Sequence, residues 1–551
     1  MVPKPPSRRL PMLAMLPILI GGLALDGGPT LARPGAQGAL FGQPVIRTLT
    51  LPADMRPQSA TYTPSGRILL TYARPGESDP RQINLAIMDD DGSHIRPIFS
   101  GTIPARPKDN GIRYMVFADN KRIFLGDFVI ECPTSLDDCT QAQLVPVTYP
   151  PQVADGAHIW HRWSEMVVAP DNRHIAWTTL LANYSAAVLT GELTRGPDGY
   201  VVTRPQIISS SDPFRPDPAH ADGVIPSPIR GGEVKQFVHG GSALSLVGAV
   251  KRDLPDSVVM DLVSGKVTPI TDTPGYTETT IFSPDERLGM VMTTRFSQTD
   301  PAILGLMPRP YPDSLNMGLS MFAYNYAVTG VRTARPGNVG PALIDIARSQ
   351  REDGYLGANL SSQADWVFHS PMSWHPDSRR ATWIEGLRGS ESKRVQIVTL
   401  PGYKAGPAVA PRAVPDSLPY GDSDLSTLPA LAGKSQNIDV KVYGRRSGHI
   451  LYRRTSGAIE KIYVDFSDDG KQVYSGRETT QINMRGQSSY EADIRLTGPR
   501  PGVMKLQMTF GPLGGPKPAA IDFTPQADGQ PRSRGFAEYG GRRLSVDRLA
   551  Q

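Results

Sequence analysis

Cysteine is scarce in this sequence: 551 residues contain two, Cys132 and Cys139, in "ECPTSLDDCTQ". Two thiols with no histidine beside them make no zinc or iron–sulfur site, and so few exclude a disulfide-dense scaffold. The six-residue polar gap between them suits the tip of a β-hairpin, where an oxidising compartment would close a disulfide. Histidine is sparse as well, nine in all, with no His-Glu-Xaa-Xaa-His motif. Only His158 and His161 lie close together, and residues three apart on a strand point to opposite faces, a poor chelate. No Gly-Xaa-Ser-Xaa-Gly occurs, so a nucleophile elbow is missing. "AGKSQ" ends like a phosphate loop, but Leu428 stands where the first glycine belongs. An excess of one charge is also lacking: 58 Lys and Arg against 53 Asp and Glu give +5, spread evenly, which argues against a nucleic-acid partner.

Long apolar runs are absent after the start of the chain. The one run, Met12 to Leu25, is shorter than the roughly 20 residues of a membrane span. It follows Lys4, Arg8 and Arg9 and precedes the small residues of "DGGPTLARPG", the layout of a secretory signal over residues 1–32. No cysteine follows it to accept a lipid. Removal of residues 1–32 takes away three basic groups and one acidic group and lowers the formal charge to +3. The expectation is a periplasmic or secreted protein with no stable membrane span after cleavage.

Turn formers, by contrast, are plentiful. With 54 glycines and 53 prolines and no collagen-like period, the chain reads as many short strands joined by turns. One pattern returns in "TYTPSGRILLTYA", "VVAPDNRHIAWTT", "IFSPDERLGMVMTT" and "SWHPDSRRATWIE". Each copy is an alternating strand, a tight turn set by proline and by Asp, Asn, Ser or Gly, and a second strand, which together form a hairpin. The first copy runs on into "RQINLAIMDDDGSHIRPIFSG", a second hairpin turning at Asp90-Asp91-Gly92. The three aspartates Asp89, Asp90 and Asp91 lack the spacing and closing glutamate of an EF-hand loop, so a plain turn is expected there.

These motifs resemble the repeat of TolB-like (PD40, WD40-like) β-propellers. The resemblance implies six blades over residues 45–413, or seven if the longest insertion supplies one; the chain as a whole reads as all-β, with a small β-sandwich-like domain after the propeller that the family pattern does not include. Turn prolines Pro64, Pro170, Pro284 and Pro376 anchor four blades, and weaker copies near Ala118 and Gly240 supply two more. The spacings are 54, 52, 70, 44 and 92 residues, against the roughly 40–50 of a four-stranded blade, so the longest gap holds an insertion at about 296–363. Within it "LSMFAYNYAVTGV" alternates as a strand does, and "PALIDIARSQ" reads as a short helix or a strand. Residues 414–436, rich in Pro, Ala and Ser without a sustained period, read as a linker. Alternating segments over 437–551 read as the C-terminal β domain.

Propellers can precede a prolyl-oligopeptidase-like catalytic domain, but the missing elbow and the absence of strand–helix alternation exclude that here. "HGGSALS" at His239 therefore reads as a blade turn rather than an oxyanion loop. The six tryptophans fall around two blade turns only. Trp177 and Trp383 each lie seven residues after a turn proline, inside a strand, and read as core; Trp160 and Trp366 each lie ten before one, at the start of a blade. Blades three and six face each other in a six-fold ring. Trp160 and Trp366, with His161, Trp163, Glu165, Tyr276, Glu278 and His369, would then rim one mouth of the channel, a surface suited to a peptide segment or a sugar.

Two functions follow. The first is a non-catalytic binding or scaffold protein, with no cofactor, that takes a protein or envelope component at that mouth. The TolB family's small N-terminal α/β domain is missing, which puts the family's own envelope role in doubt. The second is a metal-assisted lyase of uronate-type polysaccharide, resembling some propellers of this repeat type and using His161, His369, Glu165 and Glu278.

Overall fold

Each repeated turn closes in the same way. In blade one Thr63 N–H donates to Arg67 O (2.8 Å) and Gly66 N–H back to Thr63 O (2.9 Å). A matching pair recurs at Phe117, Ala169, Ser283 and His375, where the turn is one residue longer and the first N–H donates to the carbonyl five residues on. Two residues after each proline position the backbone takes a positive φ, at Gly66, Asn120, Asn172, Glu286 and Ser378. That one left-handed residue is what lets the second strand fold back on the first.

A computed structural model describes residues 40–550, except 105–113, 155–158, 161–165, 182–185, 210–213, 227–231, 312–317, 362, 429–436 and 515–516. The expected signal within residues 1–32 lies outside the described residues. From Leu40 onward the chain is one compact unit.

Six four-stranded antiparallel blades form a β-propeller. Blade one runs from Arg56–Tyr62 to Arg96–Thr102 and blade two from Met115–Val116 to Gln143–Thr148. In blade three the innermost position is shared by Ile159–Trp160 and Met166–Val168, both paired with His174–Leu181. Blade four runs from Val234–Val238 to Val267–Pro269 and blade five from Thr277–Phe282 to Ala358–Asn359. Blade six begins at Trp366–Trp374 and takes its outermost strand from the start of the described chain: Val45–Thr48 pairs antiparallel with Lys393–Thr399. This closure fixes the count at six. Buried apolar clusters join neighbouring blades around the ring, for example Leu70 and Tyr72 of blade one against Ile384 and Val395 of blade six. Blades two and three also merge at their outer edge, where Tyr200 and Val201 pair parallel with Val147 and Thr148.

The insertion lies between Thr293 and Ala342 and is shorter than 296–363. Ala342–Asp345 and Ala358–Asn359 are the outer strands of blade five, so "PALIDIARSQ" is a strand followed by the helix Ile346–Arg351, capped by Asp345. "LSMFAYNYAVTGV" is not a strand. Leu319–Ala323, Tyr324–Thr329 and Gly330–Thr333 run on as α, π and α turns. Leu319, Phe322, Tyr326 and Val331 are buried along it, a spacing of three to five that a helix uses and that an alternating reading of so short a stretch also fits.

The C-terminal strands, Ile438–Tyr443 to Arg542–Ser545, form one curved antiparallel meander. Its sandwich-like second layer is supplied by that helical insertion: Phe322 packs on Phe510 with ring centroids 4.2 Å apart, and Tyr326 Oη donates to Leu549 O (3.1 Å). Between sheet and propeller lies a buried ion network. Arg309 meets Asp253 (2.6 Å) and Glu478 (3.0 Å), and Lys461 meets the same two carboxylates at 3.1 and 3.2 Å. Tyr463 and Tyr490 donate their hydroxyls to Glu478 at 2.6 and 2.7 Å.

The Pro/Ala/Ser stretch does not hang free as a linker. From Tyr403 it crosses the proline-turn face of the propeller as a strap: Val409 N–H donates to Pro284 O, Arg412 N–H to Gly240 O and Leu418 N–H to Gln206 Oε1. Val414, Leu418, Leu425 and Leu428 are buried in the clusters of blades two to four. Without a period the segment cannot build its own sheet, so its N–H groups go to acceptors on the blades, in turns and on the outer strand of blade three. Gly240 makes this passage possible: it has φ +71°, and a Cβ there would lie 2.4 Å from Ala410 O.

The Cys132–Cys139 disulfide is formed, and both residues are buried between blades one and two. Among the described residues no helix is long and apolar enough to cross a membrane.

Candidate functional site in the propeller channel

A cavity of about 1180 Å³ runs along the propeller axis and is lined by all six blades. One end carries the turn prolines Pro64, Pro170, Pro284 and Pro376 together with Ala408, Val409 and Pro411 of the strap. The other carries charged and polar groups: Glu77 and Asp79 of blade one, Lys235 and Glu278 of blades four and five, Tyr324 and Arg332 of the insertion, and His369 and Lys393 of blade six.

The innermost strands are not regular. In blade one Pro57 pairs with Tyr72 and Ser59 with Thr71, leaving Gln58 as an extra residue. In blade four Lys235 is extra between Val234 and Gln236, in blade five Glu278 and Thr279 face one partner residue, and in blade six Ser370 and Pro371 are extra. A β-bulge re-aims a side chain out of the ladder. Here Gln58, Lys235, Glu278, Thr279 and Pro371 all line the cavity. The bulges sit at one level of the ring.

Their chemistry is specific. Lys235 is buried between Glu233 (2.7 Å) and Glu278 (3.1 Å). Tyr276 Oη donates to the other oxygen of Glu278 at 2.6 Å, and burial, with Glu278 beside it, pushes the phenol well above its ordinary range. On the neighbouring blade six, burial and then the positive charges of Arg332 and Lys393 push His369 down to about 3, so its imidazole is neutral at any physiological pH. Lys393 Nζ donates to Gln58 Oε1 (2.6 Å); its pKa is lowered by burial, against the opposing pull of Glu391.

Of the residues expected at this mouth, Glu278 and His369 line the cavity, and Tyr276 stands directly behind Glu278. Trp366 does not line it: the Arg394 guanidinium lies 4.2 Å over its ring, so that indole face is occupied. Trp160 begins blade three, paired with Leu180, and its side chain is outside the described residues, as are His161, Trp163 and Glu165. Trp177 and Trp383 are fully buried. Gln58, Lys235, Arg332 and Lys393 were not anticipated. Three bulges leave a trace in the sequence, since Gln58, Glu278 and Ser370 each stand six residues before a turn proline, whereas the tryptophans drew attention to the tenth. Among the described residues no group of three or more His, Cys, Asp or Glu is placed to hold a metal ion.

No protein-family model matches the chain, and no curated protein matches it. Among solved structures it is similar to TolB of Agrobacterium tumefaciens, with 12% identity over 57% of this chain and 83% of that one and a TM-score of 0.31. It is similar to TolB of Acinetobacter baumannii at 13% identity, over 66% of this chain and 68% of that one, TM-score 0.31. For a puromycin hydrolase the values are 12%, 78%, 54% and 0.30. Scores this low carry no argument, and the propeller stands on its own strand pairing.

Proposed function

We propose that the chain is an exported, non-catalytic binding or scaffold protein that takes a segment of a protein or envelope component into the charged mouth of its TolB-like propeller. The observation that carries this reading is the ring of bulges, which breaks the innermost strand of four blades at one level and turns polar side chains into a single cavity. Such irregularities weaken a sheet and are common where a strand must aim side chains at a ligand. Export is supported by the closed Cys132–Cys139 disulfide, which suits an oxidising compartment.

The lyase alternative gains nothing from the described part of its site. Glu278 is engaged by Lys235 and Tyr276, and His369 is flanked by two cations, surroundings that repel a metal ion. His161 and Glu165 lie outside the described residues.

The test is calorimetric titration of the protein with extended peptides from envelope proteins and with acidic oligosaccharides, comparing wild type with Gln58→Trp and Tyr324→Ala. Saturable binding that both variants weaken supports the channel as the binding site. Binding that neither variant alters would contradict it.

A further inference from the structure

The cavity's charges are unevenly committed. Lys235 is neutralised by Glu233 and Glu278. Asp79 is held by both Nε and Nη2 of Arg81, and Glu77 accepts from Asn84 Nδ2 (2.7 Å) and from the backbone N–H of Arg74 (2.7 Å). Arg332 and Lys393, by contrast, have no carboxylate within ion-pair distance among the described residues. Arg332 donates Nε to Phe368 O (3.0 Å), and its terminal amino groups make no hydrogen bond there. Lys393 reaches only the neutral Gln58. Glu391, exposed two residues away and itself on the cavity wall, acts on Lys393 through space without contact.

The two cations meet at one place on the wall. Across blade six Val367 pairs with Gly386, which pairs with Lys393. The His369 ring lies over Gly386, where a Cβ would come within 2.8 Å of His369 Nε2, and Arg332 is bonded to the carbonyl just before His369. Glycine is needed at 386 because the imidazole occupies that space. Two half-buried cations thus flank a neutral imidazole, and Gln58 reaches in from blade one. Partly desolvated cations without counter-charges are costly, and an incoming anion relieves that cost through charge-assisted hydrogen bonds.

We propose that Arg332 and Lys393, with Gln58, form a carboxylate-binding subsite on the channel wall of blades six and one, which receives an acidic side chain or the C-terminus of a protein segment. The proposal rests on the channel-binding reading above. A peptide fits better than a sugar. The Trp366 face that would stack on a pyranose is covered by Arg394, whereas the bulge at Ser370 and Pro371 takes backbone groups out of the ladder beside the subsite, where an extended chain can use them.

The experiment is calorimetric titration of the full chain with acetylated hexaglutamate, with and without a C-terminal amide, at low salt. Saturable binding is expected, weakened about tenfold or more by Lys393→Gln and by Arg332→Gln, restored toward wild type by Lys393→Arg and unchanged by Trp366→Ala. Variants that keep the wild-type melting temperature exclude a folding explanation. Amidation that leaves the affinity intact assigns the site to side-chain carboxylates, and amidation that abolishes it assigns the site to the terminus. Unaltered affinity in both cation variants would overturn the subsite. So would binding of hexagalacturonate without hexaglutamate. Binding of hexalysine alone, sensitive to Gln58→Trp, would overturn the subsite while leaving the channel reading intact; absence of binding by any of the three would overturn the subsite, with the envelope-peptide titration deciding the channel reading.

Discussion

Replacing Glu478 by glutamine tests how the C-terminal sheet is held to the propeller. Among the described residues of the buried network two cations, Arg309 and Lys461, meet two carboxylates, Asp253 and Glu478, all of them with side chains at most 4% exposed. Glutamine keeps the shape and can still accept from a tyrosine, but removes a negative charge that both Arg309 and Lys461 contact. Breaking one partner of a buried ion network costs about 3–5 kcal/mol. An unfolding entropy of roughly 2.1 cal/mol/K per residue over about 500 residues is about 1 kcal/mol/K, so cooperative unfolding would shift by about 3–5 °C. Differential scanning calorimetry measures this. Adding Lys461→Met to Glu478→Gln restores the wild-type net charge of the network and should recover at least half of the loss. A single variant that melts within about 1 °C of wild type, or a double variant no better than the single, would refute the electrostatic account.

Asp300 is half-buried beside Thr294 and Arg295, and desolvation raises its carboxyl to about 7. The folded protein therefore keeps a proton that the unfolded chain has lost, a contribution intact below the ordinary carboxylate range and lost as pH rises toward about 7. Asp300→Asn should gain stability relative to wild type as pH rises from about 4 to about 7 and hold that gain above it; a pH-independent difference in melting temperature would contradict this. Replacing Cys132 and Cys139 by serine opens a small loop and should cost about 2 kcal/mol, read by thermal melting without reductant against the disulfide-bonded wild type. Gly240→Ala places a methyl group against Ala410 O and should raise amide exchange across residues 404–418, with no change in the C-terminal sheet.

The blades were legible because their turns are chemical. Proline followed by a residue that tolerates positive φ recurs at 64, 170, 284 and 376; the weaker copy at Ala118 keeps the geometry with Asn120, whereas the one at Gly240 turns instead through three positive-φ residues, His239, Gly240 and Gly241. The helical insertion was not legible, since thirteen residues with apolar groups on most sides satisfy a strand and a helix equally. Nor was the strap: a segment without a period gives no sign that its N–H groups will find acceptors on turns more than a hundred residues earlier, as Val409 does on Pro284. In the site, Glu278 and His369 were found through their nearness to the blade starts. The cations were missed for a topological reason. Arg332 reaches the channel from the insertion and Lys393 from the third strand of its blade, so no spacing from the turn prolines could have placed them.

Site-specific photo-crosslinking in cells that produce the protein tests the channel most directly. A photoreactive phenylalanine at Gln58 or Tyr324, both on the cavity wall, is compared with one at Val263, an exposed site on the outer flank of blade four. A discrete adduct from the two wall positions, absent at Val263 and lost when Lys393→Gln and Arg332→Gln are added, is the predicted result. Adducts from Val263 alone, or none from the wall while Val263 reacts, would contradict a binding function for the channel.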